Sequence, residues 1–305
     1  MKKVFESIKD GLFFEKISIK FRNRIYKTNS RMSDKKFLIQ KGKVRLGYRM
    51  NLDNPSTFNE KINWYKLNYR NDLMPICVDK YAVYDYVKSK GLENILIPMY
   101  GIYDSIEQID LEKLPGCFVA KLTGDSGGVL ICRDKSKFYN EANKKLDVNC
   151  DYSDSNKEWP YHMIKNRIIV EELIKTKDGK SPNDYKFFCF NGEPKFLYVA
   201  SDRDTHCKFD FYDLNWNHIP VKQGHPNNKK GIKKPEQLEE MLNICRKLSK
   251  DFPHVRVDLY YENGKIYFGE LTFFHMAGLT KFTPQKYDKI FGDYFDISNI
   301  NNKEH

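Results

Sequence analysis

An α+β fold, built from capped helices and hairpin-linked antiparallel strands, is what the sequence predicts, and three observations carry that expectation. Asn191-Gly192 and Asn263-Gly264 each lie between two strand-like runs, and Asn-Gly is the strongest short hairpin signal. Thr57, followed three residues later by Glu60, forms a capping box ahead of an apolar run. The second half is strand-rich, whereas helical patterns dominate the start. With 305 residues, 40% of them hydrophobic and 14% aromatic, the chain is globular and long enough for two domains or for one domain of several lobes.

Taken in order, residues 1–70 read as a basic, mainly helical region. Residues 1–50 hold 15 Lys and Arg against 4 Asp and Glu, so the net charge of +11 belongs to this arm and the remaining 255 residues are neutral. Val4, Phe5, Ile8, Leu12 and Phe13 interleave there with Lys2, Lys3, Lys9 and Lys16. Such a segment either lies on an anionic membrane surface or packs as a helix with a lysine-rich outer face. No base-reading motif accompanies the charge, so nucleic acid is not an expected partner. No apolar run reaches the ~20 residues of a membrane span and no signal-peptide pattern opens the chain. The expectation is a cytoplasmic protein with at most a peripheral hold on the inner face of the membrane. Seven scattered cysteines without a Cys-x-x-Cys pair predict reduced thiols and no structural zinc.

Thr57 opens a helix through Leu67, and Asp79 opens another through Tyr81, Val83, Tyr84 and Val87 that Gly91 stops. Strands are expected over 95–102, 117–122 and 129–132, with Leu114-Pro115-Gly116 as a turn. A helix around 138–146 and a strand over 167–174 follow. The run 184–190 turns at Asn191-Gly192 into 194–201, and 208–212 is a further strand. A helix over 235–250 feeds the last hairpin, 255–260 and 266–273.

That hairpin concentrates the chemistry. A two-residue turn at Asn263-Gly264 pairs Asp258 with Gly269 and sends Glu270 to the opposite face. A three-residue loop, with Gly264 left-handed, pairs Arg256 with Glu270 and lines Arg256, Asp258, Glu270 and Thr272 along one face. Val255, Val257, Leu259, Leu271 and Phe273 then share the other. The second register separates polar from apolar residues and is the one expected. Two converging carboxylates repel unless a cation lies between them, and oxygen-only ligation suits magnesium completed by phosphates and water. An Arg256–Glu270 cross-strand pair on a solvated face fits the same spacing.

Two further stretches stand out. Thr123-Gly124-Asp125-Ser126-Gly127-Gly128 follows a strand that ends near Lys121, an arrangement in which backbone N–H groups approach a phosphate closely. It is neither a P-loop nor Gly-x-Gly-x-x-Gly, and a plain flexible hairpin has the same composition. Glu171-Glu172 inside an apolar strand puts one carboxylate inward, where it needs a partner, or else marks an edge strand.

In sequence order, Asp79-Lys80, Phe118-Val119-Ala120-Lys121 with its glycine loop, Ile169-Val170-Glu171-Glu172, Asp184-Tyr185-Lys186, Arg256-Val257-Asp258 and Glu270-Leu271-Thr272 resemble the ATP-grasp superfamily. Pro55 to Ile62, Asp184 to Gly192 and Phe268 to Phe274 resemble, more narrowly, its TupA-like members of teichuronopeptide and surface-polysaccharide biosynthesis. The resemblance covers about residues 45–290. It implies two lobes with antiparallel sheets clamping ATP, divided as 71–115 for the first part of the core, 116–174 for the nucleotide-clamping lobe and 175–305 for the lobe with the metal site. It further implies that Lys80 and Lys121 reach the nucleotide, that Gly124, Ser126, Gly127 and Gly128 cover the phosphates, and that Glu171, Glu172, Leu173 and Ile174 form the adenine hinge. Asp258 and Glu270 match the magnesium ligands, with Thr272 where many members have Asn. Arg256 matches the arginine that steadies the transferred group, and Lys186 a phosphate or substrate contact.

The implied activity is an ATP- and Mg2+-dependent carboxylate-amine ligase. It passes through an acyl phosphate and joins a carboxylate-bearing sugar or glycan precursor to an amino acid or amine. His275, just past Glu270, is a candidate base or a packing residue. A phosphotransferase acting on a glycan hydroxyl, a glycosyltransferase using Asp202-Arg203-Asp204, and a basic adaptor are the competing expectations.

Overall fold

The computed structural model describes residues 32–124, 127–149, 154–298 and 300. The basic arm up to residue 31, and with it the proposed membrane contact, lies outside the described residues, as does Ser126 of the glycine stretch.

Helix α1 (Asp34–Leu46) ends at Gly47, whose left-handed backbone closes it. Helix α2 (Phe58–Asn68) starts as expected: Thr57 accepts from the Glu60 amide while the Glu60 carboxylate accepts from the Thr57 amide. Two differences follow. The short helix α3 (Leu73–Val78) is not signalled by the sequence pattern. Asp79 does cap, accepting from the amides of Tyr81 and Ala82, but the α-helical hydrogen bonding of α4 (Val83–Ser89) begins one turn later.

Strands β1 (Met99–Tyr103), β2 (Phe118–Leu122), β3 (Val129–Cys132) and β4 (Ile168–Glu172) form a four-stranded antiparallel sheet in the order β1-β4-β2-β3. The strand expected over 95–102 starts late because Glu93–Ile95 is a 3-10 turn and Pro98 has no N–H to donate to a ladder. Helix α5 (Phe138–Lys145) covers this sheet through Phe138 and Ala142, and its core is separate from the main one.

The second sheet holds β5 (Asp184–Phe190), β6 (Glu193–Ser201), β7 (Lys208–Asp213), β8 (His218–Ile219), β10 (His254–Glu262) and β11 (Lys265–Thr272) in the order β11-β10-β5-β6-β7-β8. Short strands β9 (Lys222–Gln223) and β12 (Phe282–Thr283) pair beside it. One face of the large sheet, with Val255, Val257, Phe187, Cys189, Leu197 and Val199, is buried under α6 (Leu238–Ser249), whose Leu238, Met241, Leu242, Cys245 and Leu248 make an apolar stripe. The aromatic end of the other face packs under α2 and α7 (Lys286–Asp293): Phe58 meets Phe188 edge-on at 5.7 Å and Phe196 stacks on Phe291 at 4.0 Å. The polar end of that face carries Arg256, Asp258, Lys186, Glu270 and Thr272.

The last hairpin corrects the expected register. Glu262 pairs with Lys265 across a two-residue turn, in which Asn263 and Gly264 both have positive φ, so the three-residue loop is not formed. A bulge at Gly269 then shifts the ladder, so that Asp258 faces Glu270 and Arg256 faces Thr272. Arg256, Asp258, Glu270 and Thr272 still share a face, but the bulge aligns them and the turn does not.

Candidate functional site

Arg256 lies at the middle of this polar face, 6% exposed. Its Nε and Nη2 donate to the two oxygens of Asp258 at 2.7 and 2.6 Å, a fork-on-fork pair that fixes the guanidinium plane. Nη2 also reaches Glu270 Oε1 at 3.2 Å and Thr272 Oγ1 at 2.9 Å. Lys186, one strand over on β5, bonds to Asp258 and, at 2.7 Å, to Asp184. Arg203 approaches the same Asp184 at 3.6 Å and lies over the ring of Tyr260. The result is an alternating array of three cations and three carboxylates.

Each charge is set by its neighbours. Burial pushes the Asp258 carboxyl up to about 6, against the pull of the Arg256 and Lys186 charges. Burial also works against ionised Glu270, yet Lys186, Lys80 and Arg256 together bring it well below the usual carboxylate range. Lys186 loses hydration as well, but Asp184 and Asp258 hold it above the ordinary lysine value.

On the four-stranded sheet, Lys121 of β2 is paired with Glu171 of β4. Glu171 is therefore the inward acid that the sequence said must find a partner. Burial opposes the Lys121 charge, and Glu171, Tyr260 and Glu270 raise it. Glu172 is exposed, its amide donates to the Pro98 carbonyl at 2.9 Å, and the chain leaves the strand at Leu173 and Ile174. Lys80 is joined to the β2 end by its amide, which donates to the Thr123 carbonyl at 3.0 Å. Gly124 and Gly128 flank the glycine stretch in close quarters: a Cβ on Gly124 would lie 2.6 Å from Asn166 Oδ1 and one on Gly128 2.5 Å from Leu122 Cδ1. Gly127 is exposed, and its carbonyl accepts from Val129.

His275 is placed differently from a substrate-facing base. It is fully buried, its Nδ1 lies 2.7 Å from Arg256 Nη1 and its Nε2 2.8 Å from Gln223 Oε1. Arginine has no acceptor, so Nδ1 accepts from Arg256 and the Nε2 proton goes to Gln223. Burial and then the Arg256 charge keep the ring neutral, far below the usual histidine range. Neither nitrogen is left for a substrate proton. The Asp-x-Asp candidate is likewise engaged elsewhere: Asp202 pairs with Lys208 at 2.6 Å, and Asp204 accepts from the amide and hydroxyl of Ser181 at 2.6 Å.

Asp184 and Arg203 appeared in the sequence only as members of the Asp184-Tyr185-Lys186 and Asp202-Arg203-Asp204 runs, without a role of their own, and Gln223 was not picked out at all. The alternation of Asp184 with Lys186 on one strand was a usable signal; Gln223 offered none, because a short strand distant in sequence brings it to His275.

Among the described residues no cluster of three or more His, Cys, Asp or Glu is arranged to hold a metal. Asp258 and Glu270 nevertheless stand directly opposite each other, and Asp184 Oδ1 is buried without a hydrogen-bond partner. Two carboxylates fit magnesium, whose remaining positions phosphates and water fill. The Thr272 hydroxyl, by contrast, accepts from Arg256 and donates to Glu270 at 3.2 Å.

The family model for TupA-like ATP-grasp proteins matches residues 60–296. No curated protein matches the chain. Among solved structures, the chain is similar to D-alanine–D-alanine ligase from Bacillus anthracis in complex with ATP (18% identity over 65% of this chain and 53% of that one, TM-score 0.39). It is also similar to D-alanine–D-alanine ligase from Helicobacter pylori (14%, 71% and 59%, TM-score 0.42) and to L-amino acid ligase from Bacillus licheniformis (15%, 72% and 49%, TM-score 0.43). The matched region spans about half the length of these enzymes.

Proposed function

Given that the chain belongs to the TupA-like ATP-grasp family, we propose that it is an ATP-dependent carboxylate-amine ligase of cell-surface polysaccharide biosynthesis, amidating a uronic acid with an amino acid or amine. The observation that carries this reading is the facing pair Asp258 and Glu270 with Arg256 and Lys186 interleaved on one partly buried face. That surface is built to receive triphosphate charge and to release carboxylates to a bridging cation.

Magnesium, when bound, would be held by Asp258 and Glu270 and would neutralise the phosphate oxygens. A substrate carboxylate oxygen attacks the γ-phosphorus, the bond to the β,γ-bridging oxygen breaks, and ADP leaves. Arg256 and Lys186 counter the charge on the group in flight, while Lys121 and Lys80 hold the nucleotide under the glycine stretch. An amine, reacting as the free base, then attacks the acyl carbon, phosphate departs, and the proton shed by the nitrogen passes to the departing phosphate. An ionised carboxylate needs no base for the first step. That favours the ligase over a phosphotransferase acting on a hydroxyl, because His275 is committed to Arg256 and Gln223.

The test is a screen of uronic acids against amino acids, following magnesium-dependent ADP release, repeated with Glu270→Gln. Release that needs both substrates and collapses in the variant is expected. Release that needs a carbohydrate hydroxyl and no amine would replace the ligase with the phosphotransferase.

A further inference from the structure

Helix α2 carries an unusual buried stripe. Asn59, Asn63 and Lys66 lie at i, i+4 and i+7, one face of a helix, and are 0%, 0% and 1% exposed, where a packing helix would carry leucines. Burial pulls the Lys66 ammonium down to about 8, with Glu158 opposing and Lys41 adding to the fall. A helix accepts that penalty only where the polar groups are used.

Each sends one bond to the same segment, although Asn59 Nδ2 also donates to Asp288 Oδ2 at 2.9 Å and Asn63 and Lys66 also bond within the stripe. Lys66 Nζ donates to the Ala277 carbonyl at 2.7 Å, Asn63 Nδ2 to the Gly278 carbonyl at 2.8 Å, and Asn59 Nδ2 to the Thr280 carbonyl at 3.2 Å. The segment they hold is strained: Met276, Ala277 and Gly278 have φ of 46°, 55° and 58°, and left-handed backbone costs a non-glycine residue about 1–2 kcal/mol. Gly278 is packed so closely on the helix that a Cβ would lie 2.7 Å from Asn63 Nδ2. The neighbouring residue is His275. Gln223 ties both ends together, its Nε2 donating to the same Thr280 carbonyl at 3.1 Å and its Oε1 accepting from His275. From His275 the next bond is to Arg256.

We propose that the Asn59–Asn63–Lys66 stripe is a set of positioning residues for Arg256, acting through the left-handed turn and His275. Without the clamp the turn relaxes, His275 loses its orientation, and the guanidinium loses the acceptor that fixes Nη1. The effect on turnover rests on the ligase reading; the effect on His275 does not.

Lys61 supplies the control. It lies on the same helix and its Nζ also holds two backbone carbonyls, those of Gly292 and Phe295 at 2.9 and 2.7 Å, away from the turn. The full chain would be compared as wild type, Lys66→Met, Lys66→Arg and Lys61→Met by thermal melting, by kcat and KM for MgATP, and by 15N NMR of the His275 ring. Lys66→Met should lower kcat about a hundredfold, the loss expected from an ångström-scale misplacement, with KM for MgATP within about twofold, and should shift both ring nitrogens. Lys66→Arg should restore most of both. Lys61→Met should lower Tm yet leave kcat and the ring signals as in the wild type. If Lys66→Met does not fold, Asn63→Ala carries the same readouts. Equal effects of Lys66→Met and Lys61→Met on kcat and on the ring at matched Tm would overturn the proposal. Absence of ADP release from the wild type with every substrate pair would sink the ligase reading instead, with the ring signals still deciding the clamp.

Discussion

Glu270 stands directly across from Asp258 on the β10–β11 pair, and a single bulged residue, Gly269, puts it there. Side chains alternate along a strand, so without the extra residue the two-residue turn would leave Gly269 opposite Asp258 and send Glu270 to the α6 side. The acidic pair therefore depends on a backbone irregularity as much as on the acids themselves.

Gly269→Ala tests that dependence. A Cβ at this position would lie 2.9 Å from the Asp258 carbonyl oxygen, so the bulge must open at the residue whose side chain pairs with Arg256. Overpacking of this kind costs about 1–3 kcal/mol, and ADP release should fall by more than the melting shift accounts for. Gly264→Ala is the comparison: it is strained by a φ of +74° but meets nothing within 4 Å. It should lower Tm and leave activity alone. Equal losses of activity in the two variants would mean that the bulge has no special role.

Arg256→Lys should be far from conservative. The guanidinium makes five polar contacts, two of them a fork on Asp258, and an ammonium cannot reproduce that geometry. With Lys186 and Lys121 intact, KM for MgATP should change little while kcat falls by about a hundredfold, the loss typical of one transition-state donor. A variant that lost nucleotide affinity and kept kcat would assign Arg256 to ground-state binding.

Lys121 and Glu171 make a buried pair, 14% and 5% exposed at the side chain. Lys121→Met leaves the Glu171 carboxylate uncompensated and should destabilise the protein by about 3–5 kcal/mol. Adding Glu171→Gln removes the orphaned charge and should recover most of that loss in urea titrations. Nucleotide affinity should not recover in the double variant if Lys121 touches phosphate. Recovery of both would make the pair purely structural.

Much of this was legible because it is local. The capping box at Thr57 and Glu60, the turns at Asn191-Gly192 and Asn263-Gly264, and the partner demanded by the inward acid of β4 all follow from residues close in sequence or from one buried charge. The sharing of one face by Arg256, Asp258, Glu270 and Thr272 was also readable, but for the wrong reason, since apolar segregation fixes the phase of a strand without saying whether a turn or a bulge supplies the odd residue. Gln223 and the α2 stripe were not readable. Their partners are 52 and more than 200 residues away, and an Asn-rich helix face looks like a solvent face until the turn that it holds is in place. The role of His275 turned on the same problem: adjacency to Glu270 suggested a base, and only the packing of Arg256 and of Gln223 on β9 against it shows both nitrogens engaged.

His254 provides a pH signature independent of catalysis. Its ring is fully buried, stacked on Phe190 at 4.7 Å, with Nδ1 3.0 Å from the Cys189 carbonyl and Nε2 without a hydrogen-bond partner. Burial, opposed by the Cys189 bond and reinforced by Arg256, lowers it from 6.5 to about 3. Between those values the unfolded chain binds a proton that the folded chain does not. The contribution of this group to stability is therefore complete above its unfolded value and is lost as pH falls towards 3, by about 1.4 kcal/mol per pH unit. His254→Phe keeps the stack and removes the titration, at the cost of the Cys189 bond. Urea midpoints at pH 7.5, 6.0 and 5.0 should fall more steeply for the wild type than for the variant, the two differing by one proton in slope below pH 6. Parallel curves would mean that the ring is protonated in the folded protein, with a charge partner inside the aromatic core.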